Sequence, residues 1–263
     1  MLEVITVMKV NYADTVSLST LDWRGKAAIT IFFRGCPLRC PYCQNHPYLE
    51  EPDLVELDFV KEIIKKSRNF VSAVVFSGGE PLMQAAILPL AEFAKELGLL
   101  VGIHTNGCYP EMEQELIKRK LVDKFFIDIK APPDVPELYG KVAGWKKYKI
   151  VKKNPGEITA AVIKSIEIAD SCSLELELRT TVIRDFIGSK EEISKIAAWI
   201  LGHVKNREVI YVLQQGIPAY SLQENLRKTR ILEREELYDL GKIANKFLKN
   251  VRIRTIEAGE EII

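Results

Sequence analysis

The sequence lacks a continuous apolar run of about 18 residues, so we expect no transmembrane helix of the usual kind. Its first residues, MLEVITVMKVNYAD, lack the basic segment, long apolar core and small-residue cleavage site of a secretion signal. We therefore read the amino terminus as mature and expect a cytoplasmic protein. The chain also lacks an excess of charge, since 37 Lys and Arg residues face 36 Asp and Glu residues. A net charge of +1 does not favour a general nucleic-acid-binding protein.

Internal repeats, low-complexity tracts and obvious linkers are also absent from the sequence. A chain of 263 residues with 47% hydrophobic residues is long and apolar enough to bury one sizeable core. One local excess of positive charge occurs, in KVAGWKKYKIVKK at 141–153. Such charge runs are usually solvated surface, so we give this one little weight at this point.

Strand-like and helix-like segments alternate along most of the chain. Apolar runs that end in Gly or polar residues predict strands, and amphipathic segments between them predict helices. The predicted strands are 27–34, 71–77, 99–105, 123–130, 173–183, 207–214 and 251–257; the predicted helices are 58–67, 83–98, 111–120, 158–170, 190–202 and 233–250. Residues 131–156, rich in Pro and Gly, are predicted to be a long loop. About six β–α units predict an α/β fold with a parallel sheet, either a partial (β/α)6 TIM-like barrel or an open doubly wound sheet.

Distinctive residues stand where the predicted strands end. Because parallel α/β folds bind ligands at the carboxyl ends of their strands, we expect these residues to lie around one rim. They are Cys36, Gly78, Gly79, Glu80, Thr105, Asn106, Gly107, Asp128, Lys130, Arg179, Gln214 and Gln215.

Three of the five cysteines, Cys36, Cys40 and Cys43, lie close together in GCPLRCPYCQNH. Without a secretion signal, clustered cysteines favour metal binding or catalysis over disulfide formation. Pro37 and Pro41 each follow a cysteine and keep the segment out of a helix. Three interpretations are open, namely buried structural cysteines, a structural zinc site and an iron–sulfur cluster.

The zinc interpretation uses His46 as a fourth ligand, which would complete a Cys3His set. The iron–sulfur interpretation leaves one iron of a four-iron cluster without a protein ligand, because such a cluster normally takes four cysteines. An iron with an open position can bind a substrate or a cofactor. The cysteine spacing alone does not separate these two interpretations. The remaining cysteines, Cys108 and Cys172, are read as structural.

The C-x3-C-x2-C spacing, followed by SGGEP at 77–81, resembles the radical S-adenosylmethionine (SAM) superfamily. This resemblance favours the [4Fe-4S] cluster over zinc. It implies a partial (β/α)6 barrel in which Cys36, Cys40 and Cys43 bind three irons. It also implies that Tyr42, between the last two cysteines, packs near the adenine of SAM.

The resemblance extends to further residues of the SAM site. Gly78, Gly79 and Glu80 would hold the amino end of the methionine moiety, since glycines let the backbone approach a ligand closely. The other residues implied are Asn106 and Arg179, as contacts of the ribose or the carboxylate, and Asp128 and Lys130, as catalytic residues at the floor of the active site.

The sequence is most similar to activating enzymes of glycyl radical enzymes, above all to anaerobic ribonucleoside-triphosphate reductase activating proteins. The segments that carry the similarity are 19–46, SGGEPLMQ, HTNG, FIDIKAP, LELRTTVI and YVLQQ. They imply a single domain over 1–263 with a core at about 16–257. They also imply reductive cleavage of SAM to a 5′-deoxyadenosyl radical that installs a glycyl radical on a partner such as anaerobic ribonucleotide reductase. A flavodoxin- or ferredoxin-type protein would supply the electron in an anaerobic cytosol.

Two positions depart from the pattern of such enzymes. His104 stands where some of them carry an aspartate that helps to bind a monovalent cation, and Arg24 with Gly25 replaces a Pro-Gly pair. The first departure disfavours such a cation site, and the second allows a different target. Two alternative functions also stay open. One is a radical SAM enzyme that modifies a small molecule or nucleoside, and the other is a non-catalytic zinc-binding module.

Overall fold

The computed structural model describes residues 8–263, so the interpretation of residues 1–7 lies outside the described part of the chain. Ten strands and eight helices alternate along it. The strands are β1 (Lys9–Ser19), β2 (Ala28–Phe33), β3 (Leu54–Glu56), β4 (Ala73–Gly78), β5 (Leu100–Thr105), β6 (Lys124–Asp128), β7 (Glu175–Val182), β8 (Ile210–Gln215), β9 (Asn250–Thr255) and β10 (Gly259–Ile262). The helices are α1 (Leu57–Ser67), α2 (Ile87–Glu96), α3 (Pro110–Lys118), α4 (Pro136–Val142), α5 (Pro155–Asp170), α6 (Lys190–His203), α7 (Glu224–Arg227) and α8 (Arg234–Ala244).

All ten strands belong to one sheet in the order β10-β9-β8-β7-β6-β5-β4-β2-β1-β3. The seven strands from β2 to β9 in this order are parallel, and β1, β3 and β10 extend the two edges antiparallel. The parallel strands follow one another in chain order without the reversal that defines a doubly wound sheet. The prediction of a partial (β/α)6 barrel is therefore confirmed, and the doubly wound alternative is wrong.

The structure differs from the predicted elements in several places. Strands β1, β3 and β10 were not predicted, because their stability comes from pairing with a neighbouring strand rather than from a local apolar pattern. The predicted helix 83–98 begins only at Ile87, since Pro81–Met83 forms a 3-10 turn before it. The predicted loop 131–156 contains α4, whose first residue is Pro136, a residue well suited to a first helical turn.

Two layers of apolar packing lie on the two sides of the parallel strands. On β6 the outward residues Phe125 and Ile127 pack against the helices, whereas the inward Phe126 packs with Trp23. Trp23 lies in the turn between β1 and β2, where it is 2% exposed and fills the amino-terminal end of the barrel. One buried charged pair also faces inward on this side, since Lys124, the first residue of β6, lies 3.0 Å from Glu177. The residues of the candidate site lie beyond this pair, at the carboxyl ends of the strands.

Among residues 8–263, no helix combines the length and the apolar character that crossing a bilayer requires.

Candidate functional site

A cavity of about 320 Å³ opens at the carboxyl ends of the parallel strands. Ten of the eleven residues predicted for the site from the sequence line this cavity. They are Cys36, Cys40, Tyr42, Cys43, Gly78, Gly79, Asn106, Asp128, Lys130 and Arg179. The eleventh, Glu80, is fully buried behind the wall and does not line the cavity.

The three cysteines belong to residues 35–46, which we call the cysteine segment. This segment follows β2 and begins at Gly35, whose φ of +83° lies in the left-handed region that favours glycine. A turn then brings the backbone N–H of Cys43 within 2.9 Å of the carbonyl oxygen of Cys40. Asn45 donates from its side chain to the carbonyl oxygen of Gly78 at 2.7 Å. The segment is thus tied to the end of β4, and the cysteines face the glycine segment across the cavity.

Arg39 lies inside the cysteine segment and is 3% exposed. Its guanidinium donates to the carbonyl oxygens of Cys36 at 2.7 Å, Leu38 at 2.9 Å and Leu49 at 3.1 Å. A buried guanidinium with three carbonyl partners fixes the path of the backbone between the first two cysteines. Arg39 was not predicted as a functional residue, because its only signal in the sequence is a charge between two cysteines.

Burial strongly affects the three thiols that face the cavity. It raises the pKa of Cys36 and of Cys40, and it raises the pKa of Cys43 to about 12. Without a counter-charge these groups stay protonated at neutral pH. A bound metal reverses this preference, because a coordinating thiol is deprotonated. The chemistry of this donor set therefore suits a cationic metal cluster.

The zinc interpretation requires four ligands around one ion. Across residues 8–263, no group of three or more His, Cys, Asp or Glu side chains is gathered so that it could hold a single metal ion. The Cys3His arrangement with His46 is therefore not assembled here. The cysteines of a four-iron cluster, by contrast, each bind a different iron and need not converge on one point.

Gly78 and Gly79 at the end of β4, which we call the glycine segment, pack directly on the start of the cysteine segment. A Cβ on Gly79 would lie 2.0 Å from the carbonyl oxygen of Gly35, so no larger residue fits there. Gly78 has a φ of +107°, and a Cβ there would lie 2.4 Å from the backbone of Phe33. Glycine is thus required here by the packing of the two strand ends. Both glycines also line the cavity, so their backbone, which we call the glycine cradle, forms part of its wall.

Glu80 connects the glycine segment to the next strand. Its carboxylate accepts from the backbone N–H of Leu82 at 3.1 Å, the hydroxyl of Thr105 at 2.9 Å and the backbone N–H of Asn106 at 2.8 Å. Burial raises the pKa of Glu80 to about 7, although these hydrogen bonds favour its charged form. The carboxylate thus holds the turn that carries Asn106 into the cavity, and a direct contact with methionine stays a prediction.

Asp128, Lys130 and Arg179 form a charged group on the opposite wall. Asp128 lies 3.1 Å from the ammonium of Lys130 and 3.2 Å from the guanidinium of Arg179. Burial acts to raise the pKa of Asp128, but the two cations outweigh it and lower the pKa. Burial likewise acts to lower the pKa of Lys130, and Asp128 outweighs it and raises the pKa. All three groups therefore carry charge at neutral pH and leave a net positive charge on this wall.

Arg179 keeps one unused donor in this arrangement. Its Nε is buried and has no hydrogen-bond partner among the residues that the structure describes. The guanidinium also lies over the ring of Phe126 at 5.4 Å, which fixes its plane. Because Nε has almost no accessible surface, it is the rest of the Arg179 side chain that lines the cavity and can meet an anionic or carbonyl oxygen of a ligand.

His104 lies deeper in the cavity, where its Nε2 is 3.0 Å from the carbonyl oxygen of Asp22 and its Nδ1 is 3.3 Å from the hydroxyl of Ser77. Since a carbonyl only accepts, Nε2 carries the proton and Nδ1 accepts from Ser77. Burial and then Arg179 lower the pKa of His104 well below its usual value. His104 is therefore neutral and does not replace the charge of an aspartate.

The sequence analysis did not single out Arg254, which also lines the cavity. It donates to Glu177 at 3.2 Å and to Glu260 at 2.6 Å. Its strand was recognised, but only the barrel brings β9 across from the cysteine segment.

The comparisons with known proteins agree with this geometry. The family model of the Radical SAM superfamily matches residues 30–175, which carry all of the predicted site except Arg179. A protein of Methanocaldococcus jannaschii named "Putative glycyl-radical enzyme activating enzyme" is 34% identical over 264 residues, covering 97% of this chain and 100% of that protein. The pyruvate formate-lyase-activating enzyme of Clostridium pasteurianum is 27% identical over 247 residues, covering 89% of this chain and 96% of that enzyme.

Solved structures show the same fold. A radical SAM methyltransferase from Sphaerobacter thermophilus superposes with a TM-score of 0.67 at 16% identity, covering 91% of this chain and 68% of that one. A domain of a pyruvate-formate lyase-activating enzyme from Bacteroides vulgatus gives a TM-score of 0.50 at 14% identity, covering 70% of this chain and 99% of that domain. At these identities, the likeness concerns the fold alone.

Proposed function

The chain belongs to the Radical SAM superfamily and is an enzyme of that kind, and from this premise we propose that it activates a glycyl radical enzyme. When bound, a [4Fe-4S] cluster supplies the electron that cleaves SAM to methionine and a 5′-deoxyadenosyl radical, which abstracts hydrogen from a glycine. The observation that carries the proposal is that the three cysteines, the glycine cradle and the charged group line one cavity. The two relatives compared above, both named as activating enzymes and matched over most of their length, support the choice of target class.

In this proposal Cys36, Cys40 and Cys43 would hold a [4Fe-4S] cluster, and the absence of a fourth cysteine ligand would let SAM bind to it. The bond from Arg39 to the carbonyl oxygen of Cys36 keeps the first cysteine in position. Asn106 places its side-chain nitrogen 3.5 Å from the Cys36 sulfur. The cysteine segment thus enters the reaction with its backbone already ordered.

The remaining cavity residues bind and orient SAM. In this proposal the cradle of Gly78 and Gly79 receives the amino end of methionine through backbone atoms, and the side chain of Arg179 contacts a carboxylate or ribose oxygen, since all three residues line the cavity. Asn106 adds a side-chain amide to the same wall, and Glu80 acts through it as a positioning residue. Tyr42, which is 7% exposed, packs near the adenine.

In this proposal Asp128 and Lys130, which line the same cavity, act near the point where the substrate glycine would meet the adenosyl group. Tyr139 donates to the carbonyl oxygen of Asp128 at 3.3 Å and accepts from the backbone N–H of Lys130, also at 3.3 Å. This bracing holds both charged side chains toward the cavity. We assign them to the orientation of the substrate backbone and to the exclusion of water.

We further propose a partner similar to anaerobic ribonucleotide reductase, and an electron donor of the flavodoxin or ferredoxin type. An exposed low-potential cluster is oxygen-sensitive, so the enzyme is expected to work in an anaerobic cytoplasm. A radical SAM enzyme that acts on a small molecule or nucleoside uses the same cavity, and only the target distinguishes the two functions.

The test is anaerobic reconstitution of the wild type, Cys36→Ala and Cys108→Ala with iron and sulfide. Cys108 is a matched control, because it is 1% exposed but does not line the cavity. We expect about four irons per chain in the wild type and in Cys108→Ala, with release of deoxyadenosine from SAM after reduction. Cys36→Ala should lose both.

A candidate glycyl radical enzyme is then added to the reduced wild type with SAM. Electron paramagnetic resonance should show the doublet of a glycyl radical on the partner. Iron-free protein, or loss of the cluster in Cys108→Ala, would contradict the assignment of the ligands. Deoxyadenosine release that depends on a metabolite instead of a protein would favour the small-molecule alternative.

A further inference from the structure

A second cleft, of about 510 Å³, lies on the other side of the cysteine segment from the cavity. Pro41 lines this cleft, whereas its neighbours Cys40 and Tyr42 line the cavity. Phe186 also lines the cleft, and its ring centroid lies 6.1 Å from that of Tyr42. The chain at Pro41 therefore separates the cleft from the candidate cluster site, and we call this part of the chain the partition. The rings of Tyr42, on the cavity side, and Phe186, on the cleft side, are neighbours across it.

The chain that forms the far side of the cleft is attached directly to the cysteine segment. The backbone N–H of Arg39 donates to the carbonyl oxygen of Ala143 at 3.0 Å. A Cβ on Gly144, whose φ is +86°, would lie 2.1 Å from the carbonyl oxygen of Arg39. The backbone N–H of Gln223 donates to the carbonyl oxygen of Pro41 at 2.8 Å. The cleft is thus a fixed surface of the cysteine segment itself.

This surface carries a strong local excess of positive charge. Residues 141–153, which we call the lysine segment, contain six lysines and no acidic residue. All six are exposed, and within residues 8–263 none of them makes an ion pair. They are Lys141, Lys146, Lys147, Lys149, Lys152 and Lys153. The acidic residue in the wall of the cleft is Glu137.

Aromatic rings are interleaved with these cations. Lys146 lies 4.4 Å from the ring centroid of Trp145, and Lys141 lies 5.8 Å from that of Phe186. Trp145 and Phe186 both line the cleft. A cationic rim around half-buried aromatic residues is the composition of a docking face for an acidic protein.

We propose that the lysine segment and this cleft dock a small acidic electron-carrier protein, which reduces the cluster through the partition at Pro41. The inference rests on the proposed function, because only that chemistry requires a donor. One electron leaves the reduced carrier, which is oxidised, and passes to the cluster, which is reduced; no atom is transferred and no bond changes.

The position of the lysines favours a carrier over a nucleic acid. Electron transfer becomes steeply slower with distance, so a carrier gains from docking where Pro41 borders the cleft and its neighbours Cys40 and Tyr42 border the cluster site. A nucleic acid gains nothing from that location, and the net charge of +1 leaves the rest of the surface without a general attraction for polyanions. Unpaired lysines at the rim act mainly by steering an acidic partner at low ionic strength.

The test uses the reconstituted wild type and the variant Lys147→Glu/Lys149→Glu, with a flavodoxin as the acidic carrier. The matched control is Lys66→Glu/Lys118→Glu, which makes the same change in net charge. Lys66 and Lys118 are exposed and lie in the last turns of α1 and α3, just before β4 and β6 begin at the opposite end of the barrel. Binding is measured by calorimetry at several salt concentrations, and anaerobic stopped-flow absorbance follows cluster reduction by flavodoxin and by dithionite.

We expect the lysine-segment variant to weaken flavodoxin binding by roughly tenfold at low salt and to flatten its salt dependence. The ratio of the flavodoxin rate to the dithionite rate should fall to a similar degree, whereas the control keeps the wild-type ratio and affinity. An unchanged ratio in the lysine-segment variant would overturn the inference. If that variant also lost binding of a labelled RNA or of the glycyl radical partner, the result would show that the face serves that ligand and not an electron carrier. A wild type that holds no cluster and releases no deoxyadenosine with dithionite would instead contradict the proposed function.

Discussion

Single residues in this protein act mainly by holding backbone near the site. Arg39 and Glu80 are both buried, and together they engage six backbone or hydroxyl groups within two neighbouring segments. Each bond by itself contributes only about 1–3 kcal/mol when a charged group takes part. Their combined effect is to fix the cysteine segment and the turn at Asn106 before any ligand arrives.

Replacing Arg39 tests this view of the cysteine segment. Arg39→Ala leaves three carbonyl oxygens without their donor, so we expect a loss of about 2–4 kcal/mol in the free energy of unfolding. Reconstitution should also yield fewer irons per chain. Arg39→Lys keeps the charge but not the fork of donors, and it should recover only part of both quantities. Urea unfolding and iron analysis measure them, and full cluster loading of Arg39→Ala would contradict the assigned role.

A second buried carboxyl, Glu113 on α3, lies outside the site. The hydroxyl of Ser165 donates to one of its oxygens at 2.5 Å, and the other oxygen has no partner among the described residues. Burial raises the pKa of Glu113 to about 8. Folding therefore favours its protonated form, and the stability that this form provides is present at low pH and is lost as pH rises through about 8.

Glu113→Gln removes this titration, because the amide has nearly the same shape and carries no charge. We expect the free energy of unfolding of the variant to exceed that of the wild type by on the order of 2 kcal/mol at pH 9. Near pH 5 the two proteins should differ little. Urea unfolding at both pH values measures the difference, and equal pH dependence in the two proteins would show that Glu113 is not desolvated as the structure indicates.

At the scale of elements, the site depends on two strand ends that touch. The end of β4 lies on the start of the cysteine segment with only the hydrogens of Gly79 between the two backbones. The backbone N–H of Glu80 then donates to the carbonyl oxygen of Gly35 at 2.8 Å. This contact sets the distance between the thiols and the glycine cradle.

Gly79→Ala should separate the two strand ends, since its Cβ would meet backbone and not a flexible side chain. We expect a destabilisation of about 2–3 kcal/mol and poor cluster loading. Gly202→Ala is a matched control, because a Cβ there would have no neighbouring atom within 4 Å among the described residues outside its own stretch of helix. It lies in α6, so alanine should stabilise the protein by about 0.5–1 kcal/mol. Thermal unfolding of both variants, with opposite shifts, checks the prediction.

At the scale of the whole molecule, the barrel is open, because the two edge strands of the sheet, β10 and β3, do not pair with each other. A side chain connects the two ends of the chain instead. Glu260 on β10 accepts from Arg24 in the turn before β2 at 3.0 Å, and from Arg252 at 2.8 Å and Arg254 at 2.6 Å on β9. Its side chain is 8% exposed. This carboxylate links the last strand of the chain to the turn between the first two, so Arg24 has a structural partner within the chain.

The pKa of Glu260 allows this link to be tested by pH. Burial acts to raise the pKa, but hydrogen bonds from Arg254, Arg252 and Arg24 outweigh it and lower the pKa to about 2. The stability from the charged form is therefore present above about pH 4.5 and is lost as pH falls through about 2. Glu260→Gln should destabilise the protein by about 2 kcal/mol at pH 7 and by little near pH 2. Thermal unfolding at both values measures this, and an equal cost at both would contradict the link.

The sequence by itself determined the type of fold and most of the site. Parallel strands in a partial barrel follow from repeated β–α units, and the carboxyl end of each strand is where ligand-binding residues gather. Local motifs therefore sufficed to find the cysteines, the glycine segment and Asn106, all of which line the cavity. Asp128 and Lys130 were found because they stand at the end of a predicted strand and because the family resemblance implied them.

Only the tertiary structure decided how groups distant in the sequence share charge and hydrogen bonds. It turned Glu80 away from the cavity toward Thr105 and Asn106, and it brought Arg254 beside Glu177. It also placed the lysine segment against the cysteine segment, where the sequence showed only a charge run. The physical reason is that motifs report short-range spacing, whereas burial and ion pairing depend on which strands and loops the barrel brings together.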